Sequence, residues 1–174
     1  EATNNLMPEE GFPTNNKRRF GRQIIRVAVV GDMLVIWTVS GIFTLSGYSL
    51  VTFAWGQLSR KYGLRNPQAL ASDGKVAVWL DVNNQIRATD GQRITEPDLS
   101  YAIRPDIASI THASASIAIH TVGKRNYIML ADGGASKIRI YDLDRKMWMP
   151  PWSISVTAIG AVETAAGTWS LLIG

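Results

Sequence analysis

The stretch GDMLVIW (residues 31–37) decides the fold of this chain, because its pattern of a glycine followed by a short apolar strand returns three times. The returns are GKVAVWL (74–80), GKRNYIML (123–130) and GTWSLLIG (167–174). Their first glycines lie 43, 49 and 44 residues apart. A fixed spacing in this range is typical of repeated units, most often propeller blades when each unit is all-β. The fourth pass reaches Gly174 before its hairpin partner.

Short apolar strands separated by tight turns surround these glycines. Alternating or apolar runs over 25–30 and 33–39 predict the first two strands of the first unit. Asp73-Gly74 marks a hairpin in the second unit, because both residue types tolerate positive φ. We therefore predict an all-β fold: a partial β-propeller of four-stranded antiparallel blades, with three near-complete blades and one started.

The chain divides into two parts by composition. Residues 1–23 are rich in proline, asparagine and charge, which predicts an irregular N-terminal arm or linker. Residues 24–174 carry the β pattern and form the predicted propeller blades. The best helical candidate lies between Ser100 and Ser109, where Pro105 argues against a long helix. We expect the chain to be a fragment of a larger one.

Composition and motifs narrow the function classes. The chain has no cysteine, a formal net charge of +4 and 46% hydrophobic residues, so it can form a packed core without disulfides. It has no apolar run long enough to predict a membrane helix. His112 and His120 lack the companion ligands of a metal site. No phosphate-loop, nucleophile-elbow or zinc-protease motif occurs. We expect no enzyme activity, catalytic residue, metal or cofactor.

Tryptophans provide the first candidate functional residues. Trp37 and Trp79 lie inside apolar strands, which favours a packing role between blades over a stacking platform for sugars or bases. A second cluster ends the third unit and has two interpretations. It either seals one blade onto the next or forms a subunit contact. Its candidate contact residues are Trp148, Pro150, Pro151 and Trp152.

Charged residues suggest two further roles. The basic cluster Lys17, Arg18, Arg19 and Arg22 is a candidate nucleic-acid contact, although such a run is also typical of a solvated arm or of a subunit contact. Aspartates lie near most turns, where they need no chemistry to explain them. A glycosidase-like pair of carboxylates remains a second interpretation of these aspartates.

The order of segments has a more specific resemblance. Three segments follow one another along the chain: LVIWTVSGIFTLSGYS (34–49), the connection over 54–94 and KIRIYDLDRKMWMPPW (137–152). Their order is similar to that in the β-propeller region of tail nozzle proteins of short-tailed phages. That family includes tail tubular protein B and the packaged-DNA stabilization proteins. The resemblance covers roughly residues 24–174. The chain is far shorter than a full nozzle subunit, so it corresponds to a piece or to a propeller shared between chains.

The resemblance implies a structural role in the virion. The expected partners are copies of the chain in a ring, the tail adaptor or other tail proteins, and DNA in the lumen. The family implies a conduit that retains packaged DNA and takes part in its ejection, without catalytic residues to carry over. Two alternatives remain open: a carbohydrate-binding or hydrolytic propeller module, and a generic bacterial propeller adaptor.

Overall fold

A computed structural model describes residues 22–49, 51–165 and 168–174, and its first sheet is a four-stranded antiparallel meander. The strands are β1 (Ile24–Val30), β2 (Met33–Thr38), β3 (Gly41–Ser46) and β4 (Ala54–Ser59). Each strand pairs with the next in the chain. The β1–β2 turn begins at Gly31, whose φ of 58° is a left-handed conformation that favours glycine. The fourth strand was not predicted from the sequence.

The second sheet contains three regular strands: β5 (Leu70–Ser72), β6 (Ala77–Leu80) and β7 (Ile86–Thr89). An irregular segment, 94–99, takes the position of a fourth strand. The Thr95 amide donates to the Ala88 carbonyl at 2.8 Å, and the Leu99 amide donates to the Ile86 carbonyl at 2.8 Å. Proline at position 97 has no N–H to donate, so this segment cannot form a continuous ladder.

The third and fourth sheets complete the described architecture. The third is a four-stranded meander of β8 (Ala115–Val122), β9 (Arg125–Asp132), β10 (Lys137–Asp142) and β11 (Met147–Trp152). The fourth contains a two-stranded hairpin. Its strands are β12 (Ile159–Ala165) and β13 (Thr168–Ile173).

The four sheets follow one another in space as they do in the chain. The first strand of each sheet lies beside the first strand of the next, so β1 neighbours β5, β5 neighbours β8, and β8 neighbours β12. Two hydrogen bonds fix the first junction: the Gly31 amide donates to the Gly74 carbonyl at 2.7 Å, and the Ser72 hydroxyl donates to the Val29 carbonyl at 3.2 Å. Meander sheets whose first strands converge on one axis form a partial β-propeller, with three near-complete blades and one started.

Face-to-face packing of the sheets forms the core. Trp37 of the first sheet and Trp79 of the second are fully buried and meet edge to face, with ring centroids 5.9 Å apart. Ile128 and Leu130 of the third sheet join the same core. The packing role predicted for the two tryptophans is therefore confirmed. Their rings come from opposite sides of one junction.

The segment between the first and second sheets is held by a buried ion pair. The Arg87 guanidinium lies 2.7 Å from the Asp81 carboxylate and 3.4 Å above the centroid of the Tyr62 ring. The Tyr62 hydroxyl donates to Glu96 at 3.0 Å. Tyr62 thus ties the exit of the first sheet to the side of the second, and Asp81 and Tyr62 together compensate the charge of the buried arginine.

The connection between the second and third sheets is held by a second ion pair. It contains the short helix α1 (Arg104–Ile107), the only part of the predicted 100–109 segment that forms an α-helix. Asp106 on α1 accepts hydrogen bonds from Arg139 Nε at 2.5 Å and from Lys137 Nζ at 3.3 Å. The hydrogen bond from buried Arg139 holds the pKa of the Asp106 carboxyl below its ordinary value, and it outweighs partial burial, which acts to raise that pKa.

We predict that Gly63→Ala destabilises the fold. A Cβ at this position would lie 2.0 Å from the Val39 carbonyl oxygen, which is backbone and cannot rotate away. We expect a loss of about 1–3 kcal/mol in the free energy of unfolding, measured in urea by tryptophan fluorescence. Gly160→Ala is the matched control, because a Cβ there meets no described atom within 4 Å. Equal stability of the two variants would contradict the predicted clash.

We also predict that Asp106→Asn makes the free energy of unfolding depend less on pH in the acid range. A carboxyl with a lowered folded pKa stabilises the protein above its ordinary value of 3.8, and this contribution is lost as the pH falls through the folded value. Because the Asp106 side chain is 42% exposed, solvent screening limits the expected loss to about 0.5–1 kcal/mol at neutral pH, and the loss should disappear once the pH is below the lowered folded pKa. Urea unfolding at several pH values measures this. Asp144→Asn removes an exposed carboxylate and is the control; the same flattening in that variant would refute the assignment to Asp106.

Candidate interaction surface

The predicted contact cluster divides into a sealing residue and an exposed strand. Trp148 is half-buried on β11, and its indole Nε1 donates to the Leu99 carbonyl at 2.8 Å. Its ring meets Tyr141 edge to face, with centroids 5.1 Å apart. Trp148 therefore holds the outer edge of the third sheet against the connection from the second, which is the sealing interpretation of this residue.

The remaining cluster residues face solvent on the outermost strand. Pro150 and Pro151 are exposed, and 43% of Trp152 is exposed. Met149 lies opposite Ile140 in the β10–β11 pairing, and 40% of it is exposed. A subunit contact through Pro150, Pro151 and Trp152 stays a prediction, and the structure adds Met149 to the exposed apolar residues of this strand.

A cleft lies between the outer part of the third sheet and the fourth sheet. Its volume is ≈ 350 Å³. Among the residues around it, His120 and Tyr127 carry the ionisable groups, and the others are apolar. The lining residues are His120, Val122, Tyr127, Met129, Ile140, Met149, Trp152 and Leu171.

The cleft exists because the fourth sheet covers part of the third. Ile159 and Leu171 pack on Met129 and Ile138, near the inner strands of the third sheet. The described strands of the fourth sheet lie mainly beside β8 and β9, while Met149 and Trp152 of β11, the outermost strand of the third sheet, border the cleft. Sequence reasoning identified Met149 and Trp152 from their aromatic–proline context but missed Val122, which ends β8 on the wall of the cleft.

A second concave surface follows the first strands of the sheets around the propeller axis. This axial groove has a volume of ≈ 320 Å³. Arg26, on its wall, donates from Nη1 to the carbonyls of Pro67 and Leu70, and burial lowers the pKa of Arg26 from its ordinary value. Asp73, which follows β5 in the same groove, accepts from the amides of Lys75 and Val76 at 2.8 and 2.7 Å. Backbone groups thus engage both charged side chains.

Three further turn aspartates, Asp81, Asp90 and Asp142, have the same structural role. Each places Oδ1 where two backbone amides of the following turn can donate to it. Asp81 accepts from Asn83 and Gln85 at 2.8 and 3.0 Å, and Asp142 accepts from residues 144 and 145 at 3.0 and 2.9 Å. Asp90 accepts from residues 92 and 93 at 3.0 and 2.9 Å. These bonds fix the hairpins, as expected for aspartate at turns.

The histidines do not form a metal centre with other described side chains. No group of three or more histidine, cysteine, aspartate or glutamate residues with metal-binding geometry occurs within 22–49, 51–165 and 168–174. Burial, followed by the charge of Arg65, lowers the pKa of His112. His120 lies in the wall of the cleft, where its imidazole is one of the few polar groups.

The predicted basic cluster is only partly within the described residues. Lys17, Arg18 and Arg19 lie outside them, and Arg22 is exposed immediately before β1. A nucleic-acid contact through these four residues stays a prediction. Among the described helices, none is long and apolar enough to cross a membrane.

Comparisons with known proteins find similarity in structure only. No family model and no curated protein matches the chain. The chain is similar to the WD40 domain of Neurospora crassa Pan2, with 15% identity and a TM-score of 0.48, over 80% of this chain and 41% of that one. It is also similar to the N-terminal domain of Nup159, with 11% identity and a TM-score of 0.39, over 88% of this chain and 63% of that one. The chain therefore spans less than two thirds of either structure.

Proposed function

We propose that this chain is a structural and interaction component of a virion, a β-propeller segment that assembles with other subunits in a phage tail nozzle. The observation that carries the proposal is the apolar cleft beside β11, with Trp152 and Met149 on its rim. Its function in this proposal is to bind a neighbouring tail protein. The nozzle assignment itself is supported by the resemblance of residues 24–174 described above.

The chemistry of the cleft matches that of a protein–protein contact. Tryptophan, tyrosine and methionine are enriched at interface centres, while acidic side chains and lysine are depleted there. The cleft is lined by Trp152, Tyr127, Met129 and Met149, and none of its described lining residues is acidic or is lysine or arginine. An apolar side chain of a partner would displace water from this lining without removing a charge from solvent.

The axial groove does not support the hydrolytic form of the carbohydrate alternative. Glycoside hydrolysis needs two carboxyl groups that flank one bond. The described lining of the axial groove contains one carboxylate, Asp73, and its Oδ1 accepts two backbone hydrogen bonds. The axial groove therefore does not support paired-carboxylate hydrolysis.

Trp152→Ala should weaken the binding of the neighbouring tail protein on the order of tenfold or more, because a large aromatic side chain at the rim of an apolar contact is a typical hot spot. Co-purification of the assembled tail from cells that express all tail proteins measures this. Tyr48→Ala, which removes an aromatic ring that is 88% exposed in the first sheet's hairpin region, is the control. Normal incorporation of the Trp152 variant would count against the cleft as the contact.

Replacing Lys17, Arg18, Arg19 and Arg22 together by alanine should leave particles assembled but reduce their retention of DNA. The proposed reason is that these side chains neutralise phosphates in the lumen, so the difference in DNA retention between the variant and the unchanged chain should become smaller as salt is raised. Nuclease-accessible DNA in purified particles measures retention. Failure of assembly would instead indicate a subunit contact, and unchanged retention would exclude the proposed DNA contact.

A further inference from the structure

A wide groove lies at the junction between the second and third sheets, and we call it the inter-sheet groove. Its volume is ≈ 840 Å³. Ligand pockets in proteins usually have volumes of about 300–1,000 Å³. All of its lining residues fall within 76–148, so the groove belongs to an internal junction and not to the first or last described sheet.

The second sheet borders the groove with an irregular segment in place of a regular outer strand. Residues 94–99 make two hydrogen bonds to β7 instead of a ladder, and Pro97 has no N–H to donate. On the other side lie residues of β10 and β11 in the third sheet. The groove therefore separates one irregular wall from one regular wall.

Three aromatic residues line the inter-sheet groove. Tyr141 and Trp148 of the third sheet meet edge to face, and Tyr101 from the connection is 65% exposed. Met147, which is 51% exposed, adds a flexible apolar side chain. Grooves lined by aromatic residues bind extended segments that contain proline, because the conformation of such segments is already restricted before binding.

One charged side chain of the lining has no ionic partner among the described residues. The Asp98 carboxylate lies 2.6 Å from Arg104 Nη2, and Glu96 accepts a hydrogen bond from Tyr62. Lys146 is exposed, and its ammonium group forms no ion pair with the part of the chain that the structure describes. Charge complementarity therefore favours an occupant that carries acidic side chains next to apolar ones.

The sequence contains a segment of this composition outside the described residues, LMPEEGFP (6–13). Its acidic pair, Glu9-Glu10, stands between Met7-Pro8 and Phe12-Pro13. Proline disfavours the helical conformation of the residue before it, so both apolar dipeptides are biased towards extended backbone. The segment thus combines the proline, the apolar side chains and the charge that the groove favours.

Direct contacts connect the start of β1 to the groove. Ile24 pairs with Thr38, and the Thr38 carbonyl accepts from the Leu64 amide at 2.9 Å. Two residues before Leu64, the Tyr62 hydroxyl donates to Glu96 at 3.0 Å, and Glu96 lines the groove. The residue at which β1 begins is therefore a few side-chain contacts away from the groove.

We infer that residues 6–13 dock in the inter-sheet groove of the same chain. Residues 14–23, which join this segment to β1, span about 33–36 Å when extended, and this length is enough to follow that path of contacts. The apolar side chains of the segment pack on the aromatic lining, and its acidic pair lies beside Lys146. Docking thereby tethers both ends of the segment that carries the basic cluster.

This inference goes beyond the proposed tail contact and does not rest on it. The inter-sheet groove shares no lining residue with the cleft beside β11, although β11 borders both. Met147 and Trp148 line the groove, while Met149 and Trp152 line the cleft. The test needs only the purified chain, so docking can fail while binding of a tail protein stands, and the reverse.

A pair of engineered cysteines tests the docking, because the chain has no cysteine of its own. Gly11→Cys is in the docking segment, and Ala102→Cys is at an exposed position of the groove lining. In the full chain this pair should form a disulfide within one chain about tenfold faster than the matched pair Gly11→Cys with Val51→Cys, since docking raises the effective concentration of one thiol at the other. Val51 is 95% exposed and does not line the groove. Non-reducing gel electrophoresis measures the rate, and mass spectrometry identifies the linked peptides.

Charge reversal tests the contact with Lys146. In the chain that carries the first cysteine pair, Lys146→Glu should slow disulfide formation about two- to fivefold, because it places like charges together at an exposed site. Adding Glu9→Lys and Glu10→Lys should restore the rate. Lys124→Glu, at an exposed lysine outside the groove, is the control and should leave the rate unchanged.

Three results would overturn the inference. The first is equal rates for the two cysteine pairs. The second is disulfide-linked dimers in place of monomers, which would indicate that the segment docks on another copy. The third is a slowing by Lys124→Glu equal to that by Lys146→Glu, or no recovery with the reversed glutamates. Melting temperatures of the reduced variants verify the fold, and Thr95→Cys, at another exposed lining residue, replaces Ala102→Cys if that variant is destabilised.

Discussion

The packing of one sheet face against the next is the interaction on which the rest of this structure depends. A four-stranded meander with two apolar sides cannot cover both of them, so each sheet needs a neighbour on either side. The edge-to-face contact of Trp37 with Trp79 shows how closely two sheets approach. Burial of each such aromatic side chain removes a large apolar area from water, which stabilises the junction more than the few hydrogen bonds between sheets.

Ion pairs hold the connections between the sheets, because the backbone of these segments forms few strand-to-strand hydrogen bonds. Asp106 holds the segment before the third sheet through Arg139, while Asp81 and Tyr62 compensate the buried charge of Arg87. Ion pairs of this kind contribute modestly to net stability, yet loss of one partner leaves a buried charge without compensation. They therefore hold the connections in place, while the apolar faces supply most of the driving force.

The proposed binding surfaces lie where this face-to-face cover ends within the described residues. Beside β11 the fourth sheet covers the inner strands of the third and leaves Met149 and Trp152 accessible, which forms the cleft. In this interpretation, assembly uses the same apolar packing that forms the core, now between chains instead of within one.

Glycine spacing and turn residues in the sequence determined that the chain is all-β and that it repeats. They also determined that Trp37 and Trp79 pack between units. These features could be predicted because glycine spacing and Asp-Gly turns are local signals. The strand Ala54–Ser59 was missed because its exposed residues alternate weakly. Only the tertiary structure decided which residues of a strand meet another sheet. It separated Trp148, which is anchored to Leu99, from Trp152, which is accessible, although both belong to one aromatic–proline run. That difference depends on contacts between residues far apart in the chain, which local sequence cannot encode.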